Sequence, residues 1–399
     1  MQESPYLATV FISLGSLLIA GLAAQWIGKK TAIPRVTLLI TLGIAVGPSG
    51  FDLVSDLAQE TFPWISHIAL AMVGFLLGGK LHLRWLKAQG AAVISASIWV
   101  TVATWLAVSL AVALIFNNWP LALLLGAAAT ATDPAATRDV IEESNQSTPF
   151  TEKLLGIVAL DDVWGLLIFS LSAALAVFLL DAHLTVALTS LWELGGAILL
   201  GIAIGLPIGW LTGRSSEGEP LLIEALGAVV LCAGLAQWLE VSYLLACITM
   251  GMTITNTAKH HNRPFHAIHQ IEWPFMMLFF ILAGASLDFS HLATTGWLGV
   301  TYVISRILGR LMGGWICCRS ASSRPSSLQG ILLGSALLPQ AGVAIGIALI
   351  ASQAFPQFAE ALLTTAIAGT VVFELLGPPI TRLCIAHANT SPTDESQQR

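Results

Sequence analysis

Long apolar stretches alternate with short polar connections along almost the whole chain. Thirteen of them approach or exceed the roughly 20 residues that an α-helix needs to cross a bilayer. These predicted spans are 7–27, 35–51, 63–82, 88–116, 119–136, 152–180, 186–212, 220–238, 241–257, 272–288, 293–317, 326–352 and 358–384. The pattern predicts an all-α polytopic membrane protein in which residues 1–387 form a single transmembrane domain and residues 388–399 form a short cytoplasmic tail.

The amino-acid composition supports a membrane protein and argues against several other classes of protein. Only 10% of the 399 residues are charged and 56% are hydrophobic, whereas about a quarter of the residues in a soluble domain are charged. The five cysteines lie in or beside apolar runs and are interpreted as packing residues rather than as a disulfide framework. The sequence has no P-loop, no nucleic-acid-binding patch, and no nucleophile or metal-ligand set that would favour an enzyme.

The 17 lysines and arginines are distributed unevenly between the two sides of the predicted membrane. All but Arg306 and Arg310 fall in alternate connections or at the C-terminus. The opposite connections carry acidic residues instead, namely Asp52, Asp56, Glu60, Asp181 and Asp288. Because cytoplasmic loops collect Lys and Arg, we expect the N-terminus outside and the C-terminus in the cytoplasm.

Arg306 and Arg310 lie inside the eleventh span, and their i, i+4 spacing places both on one helix face. A guanidinium keeps its charge in almost any environment and needs a partner when it is buried. The intramembrane acids that could supply one are Asp133, Asp161, Asp162, Glu193, Glu224 and Glu374. Arg310 is predicted to face the interior, whereas Arg306 either does the same or extends toward the membrane interface.

Two sequence similarities recur in the same order in the two halves of the chain. The third span ends in Phe75-Leu-Leu-Gly-Gly and the tenth in Phe280-Ile-Leu-Ala-Gly; the fifth contains Leu124-Leu-Gly-Ala-Ala and the twelfth Leu332-Leu-Gly-Ser-Ala. Seven spans separate the members of each pair. Because seven is odd, the second copy enters the membrane from the opposite side. This predicts the inverted-topology repeat of many secondary transporters.

Both copies place a proline beside a polar residue in the middle of a span. Thr132-Asp133-Pro134 interrupts the fifth span, and Pro339-Gln340 interrupts the twelfth. Proline removes a backbone donor and clashes with the preceding turn, so each helix is predicted to break there; a simple kink is the alternative. Broken helices that cross at mid-membrane present helix ends and backbone carbonyls that can coordinate ions and offset charge.

The sixth span carries two adjacent carboxylates, Asp161 and Asp162, inside the apolar run 156–169. An ionised side chain at the bilayer centre costs about 3 kcal/mol or more. The pair is therefore expected to have a function, the alternative being two protonated structural acids. Neighbouring carboxylates in a low-dielectric site cannot both be ionised cheaply. A hard monovalent cation and protons would compete for their oxygens.

These motifs together resemble the monovalent cation/proton antiporter superfamily, which has the sodium/proton exchanger fold, over essentially all thirteen spans. The motifs concerned are Thr132-Asp133-Pro134, Asp161-Asp162, Gly309-Arg310 with Gly313, the segment from Ile33-Pro34-Arg35 to Gly47-Pro48-Ser49-Gly50, and Pro339-Gln340. The aspartate pair is similar to the two-aspartate branch of the superfamily, although Arg310 stands where lysine is usual.

The resemblance implies that Asp162 alternately binds a cation or protons and that Asp161 pairs with Arg310. It implies that Thr132 and Asp133 line the cation site, with Na⁺ held by these two residues and Asp162. It also implies a moving core of spans 4–6 and 11–13 and a dimerising scaffold of spans 1–3 and 8–10, hence a homodimer. No cofactor is implied, because the cation and the proton are cargo.

The expected function is exchange of Na⁺ or Li⁺ for H⁺ by alternating access, serving pH homeostasis at a bacterial-type plasma (inner) membrane or an equivalent internal membrane. The alternatives are K⁺/H⁺ exchange, a sodium-coupled organic-anion carrier and a passive cation channel. A lysine could release a proton during the cycle, whereas Arg310 cannot. Coupling must therefore rest on Asp161 and Asp162, and both an electroneutral and an electrogenic cycle stay open.

The segment His260–His269 contains four of the nine histidines of the chain. It is interpreted as a solvated cytoplasmic loop. The alternative is a pH sensor, because imidazole titrates near neutrality.

Overall fold

A computed structural model describes residues 3–390 apart from positions 31–34, 49, 54, 145–147, 181–183, 212–218, 259–261, 286–291, 321–326 and 341. The described residues form fifteen α-helices and one short 3₁₀ turn, which confirms the predicted all-α fold. The helices are α1 (Glu3–Lys30), α2 (Arg35–Val46), α3 (Ser55–Lys80), α4 (Leu83–Phe116), α5 (Trp119–Ala128), α6 (Pro134–Ser144), α7 (Pro149–Leu180), α8 (Leu184–Leu211), α9 (Glu219–Trp238), α10 (Tyr243–Thr257), α11 (Asn262–Ala285), α12 (Leu292–Ser320), α13 (Ser327–Ala336), α14 (Gly342–Ala354) and α15 (Ala359–Thr390).

Two of the predicted spans are each built from two short helices. The fifth span is α5 followed by α6, and the twelfth is α13 followed by α14. The predicted breaks are confirmed, because the helix is interrupted at both proline segments. Among the described residues, seven helices are long and apolar enough to cross a bilayer, and four shorter apolar helices include α5 and α14. The total of thirteen crossings stays a prediction.

The chain divides into two compact units. Unit 1 comprises Met1–Leu86 and Ala182–His291, and unit 2 comprises Lys87–Asp181 and Leu292–Arg399. Within unit 1, α10 packs against α3 and α8. The contact with α3 is close because Gly78 and Gly251 lie in it, and a Cβ added to either would collide with backbone of the facing helix. Every residue singled out for the candidate site belongs to unit 2.

Within unit 2, glycines draw α12 close to its neighbours. A Cβ added to Gly309 would lie 2.7 Å from the Cα atom of Thr104, and one added to Gly313 would lie 2.5 Å from the Cα atom of Val100, so α12 touches the backbone of α4. Real side chains do not pack at such distances. The Gly309-Arg310…Gly313 motif is therefore a helix-packing motif that also brings the arginine-bearing helix into the centre of this unit.

One predicted connection is partly helical. Helix α11 begins at Asn262 rather than near residue 272, so His266 and His269 lie on the helix, and the first two histidines of the segment fall outside the described residues. The side chain of His269 is 71% exposed and its Nδ1 atom lies 2.8 Å from Oε1 of Glu272. The interpretation of His260–His269 as a loop is thus wrong from Asn262 onward. Hydropathy marks the part of a helix inside the bilayer, and a polar end that continues beyond it gives no such signal.

Other helices, α3 and α15 among them, also extend beyond their predicted spans. Helix α3 begins at Ser55, eight positions before the predicted start, and α15 ends at Thr390, inside the segment predicted as a tail. Residues 391–399 of that tail lie outside the described part of the chain.

Candidate cation site

The two helix breaks are joined directly to each other within unit 2. Pro134 begins α6, a position where the missing backbone N–H of proline would have had no helical partner. Immediately before it, the backbone N–H of Asp133 donates to the carbonyl oxygen of Pro339 at 3.0 Å. The first break therefore meets the second, as the crossing of two broken helices requires.

The carbonyl groups at the end of α5 are occupied by side-chain donors. Gln340 Nε2 donates to Ala128 O at 3.1 Å, and Arg310 Nη2 donates to Thr130 O. Arg306 donates from Nε to Ala129 O and from Nη2 to Ala131 O, both at 2.9 Å. Four consecutive carbonyls thus accept hydrogen bonds from three side chains. These donors offset the negative end of α5, and each carbonyl oxygen keeps a second lone pair.

Arg306 links the two breaks. Besides its bonds to the first break, its Nη1 donates to Leu338 O in the second break at 2.7 Å, and its guanidinium lies 4.2 Å above the centre of the Phe373 ring. The side chain is fully buried, so Arg306 does not extend to an interface. The sequence predicted a carboxylate as the charge partner of Arg306. In the structure its hydrogen bonds go instead to backbone carbonyls at the negative ends of α5 and α13.

Arg310 forms a fully buried ion pair with Asp161. Its Nη1 donates to Asp161 Oδ2 at 2.6 Å, and neither side chain is exposed to solvent. The Thr132 hydroxyl donates to the same oxygen at 2.5 Å, and the Thr101 hydroxyl lies 3.3 Å from Oδ1. Asp161 Oδ2 thus accepts two hydrogen bonds, one of them charge-assisted, whereas the Thr101 hydroxyl donates to Ser97 O at 2.7 Å.

Asp162 is the next residue of α7 and is also buried, at 1% exposure. One position corresponds to about 100° on a helix, so its side chain leaves α7 in a different direction from that of Asp161. Thr132, which the resemblance places at the cation site, has its hydroxyl on Asp161, but the lone pairs of that oxygen can still face a cation. Asp133 is half-buried beside it. Carboxylate and hydroxyl oxygens are hard ligands of the kind that a small cation prefers.

Three contributors were missed from the sequence. Thr101 on α4 reaches Asp161, Tyr302 accepts a hydrogen bond from Gln340 Nε2 at 2.8 Å, and Phe373 lies under Arg306. A threonine or phenylalanine in an apolar helix carries no special signal. Tyr302 is one of only three tyrosines and stands four residues before Arg306, so its position on the same helix face could have indicated a role.

A family model described as "Sodium/hydrogen exchanger, transmembrane" matches residues 14–385. The chain belongs to the sodium/hydrogen exchanger family. The match confirms the resemblance to the monovalent cation/proton antiporter superfamily, and together with the apolar helices it establishes an integral membrane protein.

Several antiporters or antiporter subunits resemble the chain over most of its length. It is 24% identical over 378 residues to the ammonium/H⁺ antiporter subunit AmhT of Alkalihalophilus pseudofirmus, an alignment that covers 91% of this chain and 92% of that protein. It is 23% identical over 334 residues to the K⁺/H⁺ antiporter subunit KhtU of Bacillus subtilis, with 81% and 82% covered. The structure of the sodium proton antiporter MjNhaP1 from Methanocaldococcus jannaschii matches with a TM-score of 0.72 and 22% identity, covering 95% of this chain and 96% of that one. This structural match confirms the antiporter fold.

Proposed function

We propose that the chain exchanges a monovalent cation for a proton across a membrane, with Na⁺ or Li⁺ as the cation. The observation that carries the proposal is the pair of buried aspartates of which one, Asp161, is neutralised by Arg310. Its neighbour Asp162 is buried in the same helix. A buried carboxylate gains from binding either a metal cation or a proton, which suits Asp162 for competition between the two.

Competition for the Asp162 oxygens couples the two fluxes. The cation leaves when a proton takes its place, and the reverse happens on the other side of the membrane. High proton concentration empties the site, so we expect exchange to slow at acid pH on both sides. Alternating access then requires that the site open to one side at a time, for which we propose spans 4–6 and 11–13 as the moving core and spans 1–3 and 8–10 as the scaffold. Support comes from the family resemblance and from the location of every site residue in unit 2.

K⁺ is the second candidate cation. It is favoured by the name of the KhtU relative, a K⁺/H⁺ antiporter subunit. The ligands that the resemblance implies are the carboxylates of Asp162 and Asp133 and the Thr132 hydroxyl. That small, charged ligand set favours the smaller ion, which is why we place Na⁺ first.

Further parts of the proposal concern the setting of the exchanger. The alternation of basic and acidic connections supports an outside N-terminus and a cytoplasmic C-terminus in a bacterial-type plasma membrane. The family resemblance supports a homodimer formed through the scaffold. The cycle as proposed uses no cofactor and no enzymatic step, since every component is a residue of the chain or a transported ion.

The test is transport in reconstituted vesicles with an imposed pH gradient. Addition of Na⁺ or Li⁺ should collapse the gradient, and addition of K⁺ should do so more weakly. Asp162→Asn should abolish the response to every cation while leaving the purified protein folded, as judged by its size-exclusion profile. If the D162N variant still collapses the gradient, the proposal is wrong. If K⁺ gives a larger response than Na⁺, K⁺ becomes the first candidate cation. Single-channel currents would point to a passive pore instead.

A further inference from the structure

A third buried acid, Glu374, has no part in the exchange as proposed so far. It lies in the middle of α15 and is 3% exposed. Among the side chains that the structure describes, five Asp, Glu, Lys or Arg side chains are buried, and all belong to unit 2: Asp161, Asp162, Arg306, Arg310 and Glu374. An ionisable residue at this depth of a membrane-spanning helix is expected to have a function.

The position of Glu374 on α15 brings it close to the crossing of the two broken helices. The preceding residue, Phe373, has the centre of its ring 4.2 Å from the guanidinium carbon of Arg306. One turn further along α15, a Cβ added to Gly377 would lie 2.7 Å from the Cα atom of Pro339 in the second break. Glu374 adjoins this contact face, because successive residues are about 100° apart around a helix.

The charge of Arg306 is not balanced by the groups that its guanidinium contacts. Arg310 pairs with Asp161, whereas the hydrogen bonds of Arg306 go to uncharged carbonyl groups. The helix ends add little net charge, since the crossing joins the C-termini of α5 and α13 to the N-termini of α6 and α14, and their partial charges are opposite. Because an unbalanced charge is costly to bury, these contacts favour an ionised acid nearby.

Glu374 is the buried acid that remains for this role. Asp162 is occupied by a cation or a proton in the proposed cycle. Of the helices packed against α15, α5, α13 and α14 carry no charged residue. The charged residues of α6 are exposed and therefore screened by water and salt: Arg138, Asp139, Glu142 and Glu143. On α7 and α12, the charged residues other than the four buried ones lie near the helix ends.

We propose that Glu374 stays ionised throughout the cycle and balances the charge of Arg306. The interior of unit 2 then holds two positive and two negative charges besides Asp162, so Asp162 is left as one net negative charge that one cation or one proton neutralises. Glu374 is in this role a positioning residue that acts through its charge. Its effect on transport rests on the proposed function, whereas its balance with Arg306 is a property of the folded chain alone.

Transport by Glu374→Gln tests whether the carboxylate is charged, because glutamine has nearly the shape of a protonated glutamate. Without the negative charge, the site should bind both the cation and the proton less tightly. One charge acting over about 10 Å at an effective dielectric constant of about 20 changes a binding constant roughly tenfold. The KM for Na⁺ should therefore rise about tenfold, and the pH at which acid halves the exchange should fall by about one unit.

Two further variants separate charge from packing. Glu374→Asp keeps the charge and should leave the KM and the pH profile close to those of the wild type. Glu360→Gln makes the same chemical change at an exposed position of α15 and should alter neither. An unchanged KM and pH profile in E374Q would overturn the proposal, as would an E374D variant that behaves like E374Q. A potential-dependent exchange that becomes potential-independent in E374Q would show that Glu374 carries a proton and would overturn it too.

The charge balance is tested without transport by thermal unfolding of the purified chain in detergent. Glu374→Gln and Arg306→Gln should each lower the unfolding temperature, and the double variant should lose clearly less than the sum of the two losses, because it removes both charges. With E360Q in place of E374Q, the losses should add. Additive losses for E374Q and R306Q would overturn the proposed balance. A wild-type chain without exchange would instead contradict the proposed function, and the unfolding series would still decide the balance.

Discussion

Membrane potential should not shift the equilibrium of the exchange, because the site moves no net charge. Asp161 receives hydrogen bonds from Arg310 at 2.6 Å and Thr132 at 2.5 Å on one oxygen, with Thr101 at 3.3 Å from the other. Arg310 keeps its proton throughout the cycle, and Asp161 is its ion-pair partner. The pair therefore contributes no net charge in either state. In the proposed cycle Asp162 binds either one cation or one proton, which gives both loaded forms the same charge.

An electrogenic cycle, which is the alternative, predicts an effect of membrane potential that is easy to measure. If one elementary charge crossed the membrane in each cycle, 100 mV would be worth about 2.3 kcal/mol. At about 1.4 kcal/mol per tenfold change, this is roughly a 50-fold shift in the cation gradient at which net flux stops. A one-for-one exchange predicts no shift.

The assay finds the Na⁺ gradient that balances a fixed pH gradient in reconstituted vesicles. It is run without a potential and again with about 100 mV set by a K⁺ gradient and valinomycin. The balancing gradient should be the same in both conditions, and a shift close to 50-fold would refute the argument from the Asp161 contacts. Arg310→Lys is the comparison variant, since a lysine can release a proton. Asp162→Asn controls for leak because it should show no cation-driven flux.

Further substitutions test the packing and the charge balance of unit 2. Asp161→Asn should lower stability by about 3–5 kcal/mol because it leaves Arg310 buried without its partner, and a second change, Arg310→Gln, should recover part of that loss in a detergent thermal-unfolding assay. Arg306→Lys should lower the unfolding temperature by several degrees, since one ammonium cannot reach the three carbonyls that the guanidinium spans; an unchanged value would contradict its bridging role. Gly313→Ala should destabilise α12 packing, whereas Gly299→Ala on the same helix, with no atom within 4 Å of the added Cβ, should be neutral.

Several features of this protein were determined by local chemistry and could be predicted from the sequence. Apolar stretches of membrane-spanning length predicted helices because the bilayer leaves backbone groups no other partners. Pro134 and Pro339 marked the breaks because each stands beside a polar residue in an apolar span, whereas Pro207, Pro274, Pro378 and Pro379 lie inside continuous helices. The spacing of Arg306 and Arg310 placed them on one face by helix geometry alone. None of these inferences depends on a distant part of the chain.

The partners of the buried arginines were decided only by tertiary structure. Arg306 bonds to Ala129, which is 177 positions away, and Gln340 bonds to Ala128, 212 positions away. Such pairings depend on how two broken helices and α12 pack together, and small shifts in packing would exchange one acceptor for another. The sequence indicated a guanidinium that needed a partner. Only the fold showed that the partners of Arg306 are carbonyl groups at helix ends. These carbonyls come together only when both broken helices are in place.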